Sequence, residues 1–217
     1  MPLTPMTHRL VIVLGLFLLA LGVRVLTWQD NRRDIWKVQT SVTDGYKESA
    51  RLLARGDLKL FVGDINHLGH PPGYPIFLAV IFKTFGESDT AIHFIQILLD
   101  AVAVVLLFLI ALEFLPLTAA ALCGFLAAIS PQFAYFSVLL LPDSLVVPPI
   151  LLAILFLIRG RHFAIAGVLL GLSCWFRANA LLLAPFIALL TPLFVQRGNR
   201  PALRSSEGYG ARSDLTA

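Results

Sequence analysis

The stretch "HLGHPPGYPIFLAVIFKTFGES", residues 67–88, opens with two histidines, a Pro-Pro and a Gly, then turns apolar for a short run before Lys83. A bilayer crossing takes about 20 consecutive apolar residues. The run is too short for that, and its reading decides the fold. Counted as a span, it moves every later loop to the other side of a membrane. Counted as part of a loop, it leaves a Pro-rich hinge and a half-length helix on one face.

The composition makes the membrane the right frame. Of 217 residues, 58% are hydrophobic and only 14% charged. A soluble domain carries about a quarter charged residues, so the chain reads as a polytopic membrane protein. Cys123 and Cys174 both lie in apolar runs and give neither a disulfide framework nor a metal spacing. They are expected as buried small residues. Nothing in the composition points to nucleic acid. The segment after His8-Arg9 lacks a small-x-small cleavage site and reads as a span that stays.

The apolar pattern predicts an all-α bundle of about six spans, over roughly 9–27, 90–112, 117–137, 141–158, 162–176 and 178–195. The later connections, "FLPLT", "LLLPD" and "IRGRH", are short, so neighbours pack antiparallel. Short-loop Lys and Arg set orientation. Arg9, Arg159 with Arg161, and Arg197 with Arg200 and Arg204 fall on one face when six spans are counted and the N-terminus is cytoplasmic. The 28–89 region is then an outer loop, and 74–86 is a re-entrant or surface-lying half-helix within it. Residues 1–195 form one transmembrane domain, and 196–217 read as a disordered cytoplasmic tail.

Residues 28–73 hold seven Lys/Arg and six Asp/Glu. Within them "TDGYKESARLLARGD" places Tyr46, Ala50, Leu53 and Ala54 at helical spacing, with Gly56 as a stop. Its polar face of Lys47, Glu48, Arg51 and Arg55 suits a helix lying on a membrane surface.

The same topology brings Asp44, His67, His70, Pro71-Pro72-Gly73, Asp143 and Arg177 to the outer face. Each also has a plainer reading. Asp44 and Asp143 suit helix caps, the latter with Ser144 helping. Arg177 suits an interfacial anchor. Pro71 and Pro72 suit a helix entry. His67 and His70 lack a third ligand for zinc. Asp100 lies within the second span, where an ionisable group marks either function or pairing with another span, and Gln96 sits one turn before it. Pro148-Pro149 are expected to kink the fourth span and open a cavity near Asp143.

"HPPGYPIFLAVIFKTFG", together with Asp44, Tyr46, Ala50, Gly56, Gln96, Pro131, Tyr135, Asp143 and Arg177, resembles the C-type glycosyltransferase superfamily over roughly 40–190. The nearest branch is the protein O-mannosyltransferase and lipid A aminoarabinose transferase-like one. The resemblance implies a multi-pass transferase moving a sugar from a polyprenyl-phosphate donor to an acceptor hydroxyl on the non-cytoplasmic face, most simply of a cell (inner) membrane. It implies Asp44 as general base and Asp143 as a second catalytic acid, able to position substrate or help hold a divalent ion. It implies Arg177 as a phosphate clamp, with Tyr46, His70, Pro72 and Tyr74 lining the substrate site. The first-loop acid is followed here by Gly rather than the Glu of some relatives, which leaves Asp30 and Asp34 as competitors. Members of the superfamily usually have more spans, so the chain is expected to be an N-terminal fragment. The rival readings are a small carrier, for which Asp100 would serve, a subunit of a larger complex, or an inactive remnant of a transferase gene.

Overall fold

The computed structural model describes residues 5–34, 39–64 and 69–198. Among these, every regular element is a helix. In chain order they are α1 (Pro5–Asn31), α2 (Ser41–Arg55), α3 (Leu58–Gly63), α4 (Gly73–Phe85), α5 (Asp89–Ala111), α6 (Leu117–Ile129), α7 (Pro131–Val138), α8 (Asp143–Ile158), α9 (Phe163–Phe176) and α10 (Ala180–Gly198). His67 and residues 199–217 of the expected tail lie outside the described residues.

Two helices, α1 and α5, are long and apolar enough to cross a membrane among the described residues. The pair α6 and α7 makes a third if taken as one bent span, with a 50° change of direction at the break. The expectation of six spans is therefore more than helix length supports. The helices fall where the sequence puts them, but α8 and α9 have only 16 and 14 residues. At ~1.5 Å per residue they reach roughly 24 and 21 Å, short of a hydrocarbon core about 30 Å thick. Leu10, Leu14 and Leu18 of α1 and Phe94 of α5 are exposed, an apolar surface suited to lipid. The chain is an integral membrane protein, and the regular structure of its described residues is entirely helical.

The 50° bend has a local cause. Pro131 stands at the first turn of α7 and has no amide hydrogen to give to the end of α6. The Ser130 side chain accepts instead from Phe133 N at 3.4 Å, which starts α7 afresh. Where α6 meets α1 and α5 the core is made of Ala20, Ala101, Val104, Ala127 and Ala128. Such small residues let helix backbones approach closely. Pro148 and Pro149 lie inside α8, which continues through both as one helix.

The apolar stripe of α2 does not lie on a membrane surface. Tyr46 and Ala50, with Leu53 and Ala54, pack in one cluster with Tyr74, Leu78 and Ile81 of α4, Ile92 of α5 and Leu140. The stripe of α2 is matched by the i, i+4, i+7 face of α4, so two amphipathic helices cover each other. Where the alternative is water, each large side chain of this kind contributes about 1.5–3 kcal/mol. The half-helix read from the opening stretch is thus packed into protein, against α2, α5 and α9.

Helix α2 starts earlier than Asp44 would set it. Its N-cap is Thr40, whose amide donates to Thr43 Oγ1 at 3.0 Å. Asp44 is an exposed first-turn residue, not a cap. The C-terminal stop is Gly56, as its sequence position suggests, with a left-handed φ of 83°. At the other helix read as acid-capped, the N-cap of α8 is Pro142 and the Asp143 carboxylate is turned to another use.

Candidate functional site

The turn between α7 and α8, "LLLPDS", is where the polar groups converge. Its carbonyls are freed from helix bonding, and side chains from two other elements take them up. Gln96 of α5 donates through Nε2 to Leu139 O at 3.2 Å, Leu141 O at 2.9 Å and Ser144 Oγ at 2.7 Å. Thr43 of α2 donates to Leu140 O at 3.2 Å. Tyr74 of α4 approaches the other side of the Gln96 amide at 3.5 Å. Gln96, Thr43 and Ser144 are buried, and buried carbonyls without donors would be costly. The turn is therefore held in one shape, and Asp143 with it.

Asp143 forms an ion pair with Arg177, the residue that follows α9. Both side chains stay partly open to solvent, 25% and 45% exposed respectively. Arg177 is thus paired across the junction, and Asp143 is not a cap.

The Pro-Pro-Gly hinge is brought to the same place by a close backbone approach. A Cβ on Gly73 would stand 2.5 Å from the Trp175 carbonyl oxygen and 3.0 Å from Phe176 N. Only glycine lets the start of α4 seat on the end of α9, two residues before Arg177. Pro72 occupies the N-cap position of α4. Tyr74 then faces Tyr46 edge-on, with ring centroids 5.0 Å apart, and His70 lies 5.3 Å from the Tyr46 ring. Burial raises the Tyr46 phenol pKa, and the Arg177 charge pulls against that rise. Tyr74 is raised further by burial, then by Tyr46 and Asp89. Both phenols stay neutral donors at physiological pH.

Of the residues read as site residues, Tyr46, His70, Pro72, Tyr74, Asp143 and Arg177 gather around this junction. Asp44 stands apart from these contacts. It is exposed on α2, two residues before Tyr46, and among the described residues it makes no hydrogen bond or ion pair. A polar pocket of about 300 Å³ lies along that part of α2, lined by Ser41, Gly45, Tyr46, Glu48, Asp64 and His70 among others.

Asp100 has a different partner from the one its neighbourhood suggests. Gln96 is committed to the turn, and Asp100 pairs with Arg24 of α1. Arg24 is fully buried and also donates through Nη1 to Ala20 O at 3.2 Å and to Ala128 O at 2.9 Å, beside the α6–α7 break. Neither Arg24 nor Thr43 was singled out by sequence reading. An arginine inside the first apolar run was the available signal for Arg24. Thr43 carries no such signal, because its role depends on a carbonyl 97 positions away.

An all-helical membrane protein with a polar, half-open ion pair where its helix ends meet is the class these elements define. The chain belongs to the dolichyl-phosphate-mannose-protein mannosyltransferase family, whose model matches residues 69–211. The match contains His70, Pro72, Tyr74, Asp143 and Arg177 and begins after Asp44 and Tyr46. No curated protein and no solved structure matches the chain.

Proposed function

We propose that the chain carries the donor-side machinery of a membrane glycosyltransferase that takes a sugar from a polyprenyl-phosphate carrier on the non-cytoplasmic face. The observation that carries this reading is the Asp143–Arg177 pair, set on a clamped turn, half-open, and flanked by two neutral phenols. A guanidinium has five N–H donors and holds phosphate oxygens in a fork. Asp143 keeps Arg177 oriented until the donor phosphate arrives, and the phosphate then shares or displaces the carboxylate. As the sugar leaves, negative charge grows on that phosphate, and Arg177 stabilises it.

The acceptor hydroxyl needs a base within reach. Asp44 is the proposed base. It is exposed on α2, and its chain neighbour Gly45 lines the polar pocket together with Tyr46 and His70, the proposed entry for an acceptor from water. One displacement at the anomeric carbon then inverts its configuration without a covalent enzyme intermediate. Counted over the six apolar runs of the sequence, the loop at Arg159 and Arg161 falls on the side of the N-terminus, which supports a cytoplasmic N-terminus; a cysteine beside Gly160 should resist impermeant thiol reagents while one at Glu48 reacts.

The decisive experiment is sugar transfer by membranes holding Asp44→Asn. Transfer is expected to fall by a factor of about a hundred or more, the low end of general-base contributions, with donor binding unchanged. Full transfer in that variant moves the base to Asp30, Asp34 or Asp143.

A further inference from the structure

A second cavity, of about 380 Å³, lies apart from the polar pocket of α2. Its wall joins the two ion pairs, since Arg24, Asp100, Asp143 and Ser144 all contribute to it. The rest of the wall is apolar and includes Leu107, Phe133, Phe136, Val147 and Leu151. Its size falls within the usual range for a small-ligand site, roughly 300–1,000 Å³. Phe133, Phe136 and Val147 are 49%, 40% and 40% exposed. They belong to α7 and α8, so the cavity opens on the apolar outer surface of the bundle.

Three features narrow what fits there. The walls suit a hydrocarbon chain and reject a polyol. The formal charges are already balanced, Arg24 against Asp100 and Asp143 against Arg177. A charged headgroup would bring one more uncompensated charge into a poorly solvated space, which is expensive. Asp100 is 92% buried, and the 12% of its side chain that stays exposed lies in the wall of this cavity. Arg24 Nε occupies its Oδ2. A carboxylate accepts more than one donor, so the exposed part of Asp100 has room for an O–H.

We infer that this cavity is a binding site for an uncharged, hydroxyl-bearing lipid, an apolar chain whose O–H donates to Asp100. It is reached from the bilayer between α7 and α8. The inference stands on the cavity and its charges, independently of any sugar transfer.

The test uses the full chain in nanodiscs and three photoreactive probes with the same diazirine-bearing sixteen-carbon chain: a primary alcohol, its methyl ether and the carboxylate. The alcohol is expected to label Phe133, Phe136, Val147 or Leu151 about tenfold more efficiently than the ether, which lacks the donated hydrogen. Excess unlabelled hexadecanol should suppress that labelling. Val147→Trp, which fills the cavity from its open side, should abolish it. Equal labelling by alcohol and ether overturns the proposal, as does stronger labelling by the carboxylate. Labelling that survives Val147→Trp in a protein of unchanged helical circular dichroism does the same. If that variant does not fold, the alcohol-to-ether ratio on the unaltered chain decides.

Discussion

Two arginine–aspartate pairs sit in this molecule under opposite conditions. Arg24–Asp100 joins two long apolar helices and is nearly sealed, with side-chain exposures of 0% and 12%. Asp143–Arg177 joins a turn to a helix end and stays 25% and 45% exposed. The chemistry is identical and the surroundings differ. A sealed pair is a structural commitment, because neither charge can lose its partner without stranding the other. An open pair is exchangeable, because water or an incoming anion can replace one member at small cost. The first pair therefore belongs with what holds the bundle together, and the second is free to take part in the proposed donor site.

The sharpest way to break that contrast is to cut the sealed pair. Arg24→Leu should destabilise the protein by about 3–5 kcal/mol, the range for stranding a buried charge. Thermal unfolding in detergent, or the yield of monodisperse protein, reads this directly. Adding Asp100→Leu to the same chain should recover most of the loss. A single variant as stable as the parent would mean that water reaches the pair freely.

The open pair predicts a different readout. Arg177→Ala should leave unfolding within about 1 kcal/mol of the parent. Binding of a polyprenyl-phosphate donor should weaken by roughly ten- to a hundredfold, as for a lost hydrogen bond to a charged group of about 1.5–3 kcal/mol. Arg177→Lys should recover binding only in part, since it restores charge without the fork. Equal donor binding by Ala and parent would reduce Arg177 to an anchor.

Asp143→Asn sharpens the comparison in the other direction. If the carboxylate holds the place of the donor phosphate, removing its charge should tighten donor binding, by up to about fivefold for a pair worth ~1 kcal/mol. Weaker binding in this variant would instead make Asp143 part of the donor contact. The smallest effect is expected at the exposed pair of Arg159 with Glu113, 2.8 Å apart. Arg159→Ala should cost less than about 1 kcal/mol in unfolding, and it serves as a control for what a solvated pair contributes here.

Much of this was legible in the residues. Helix positions followed the apolar runs, because each run is bounded by Pro, Gly or a charge. The hinge and the short helix at 70–86 were legible for the same reason. Helix length in space was not, since α8 and α9 are cut at Pro142 and Arg177 by the very turns that build the site. Proximity of Asp143 to Arg177 was anticipated only as a shared face, and their pairing was not. The destination of α2's apolar stripe was also hidden. A stripe shows that a helix must cover one side, and does not show whether lipid or another helix does so. Gln96 and Asp100, one turn apart, looked like partners by spacing. Each instead bonds across to another element, Gln96 to the α7–α8 turn and Asp100 to α1, and no local pattern records that.

The contact between Gly73 and the Trp175 carbonyl sets a schedule for the making of the protein. Roughly a hundred residues separate the two, and synthesis proceeds at about 5–20 residues per second. Helix α4 thus leaves the ribosome some 5–20 seconds before the end of α9 exists to receive its first turn. During that interval α2 and α4 can pack with each other, with Ile92 of α5 and with Leu140, but the Pro-Pro-Gly entrance has nothing to rest on. The junction of α4 with the end of α9 is the last of these contacts to be assembled, and a chain stalled before Trp175 would carry the hinge without its seat.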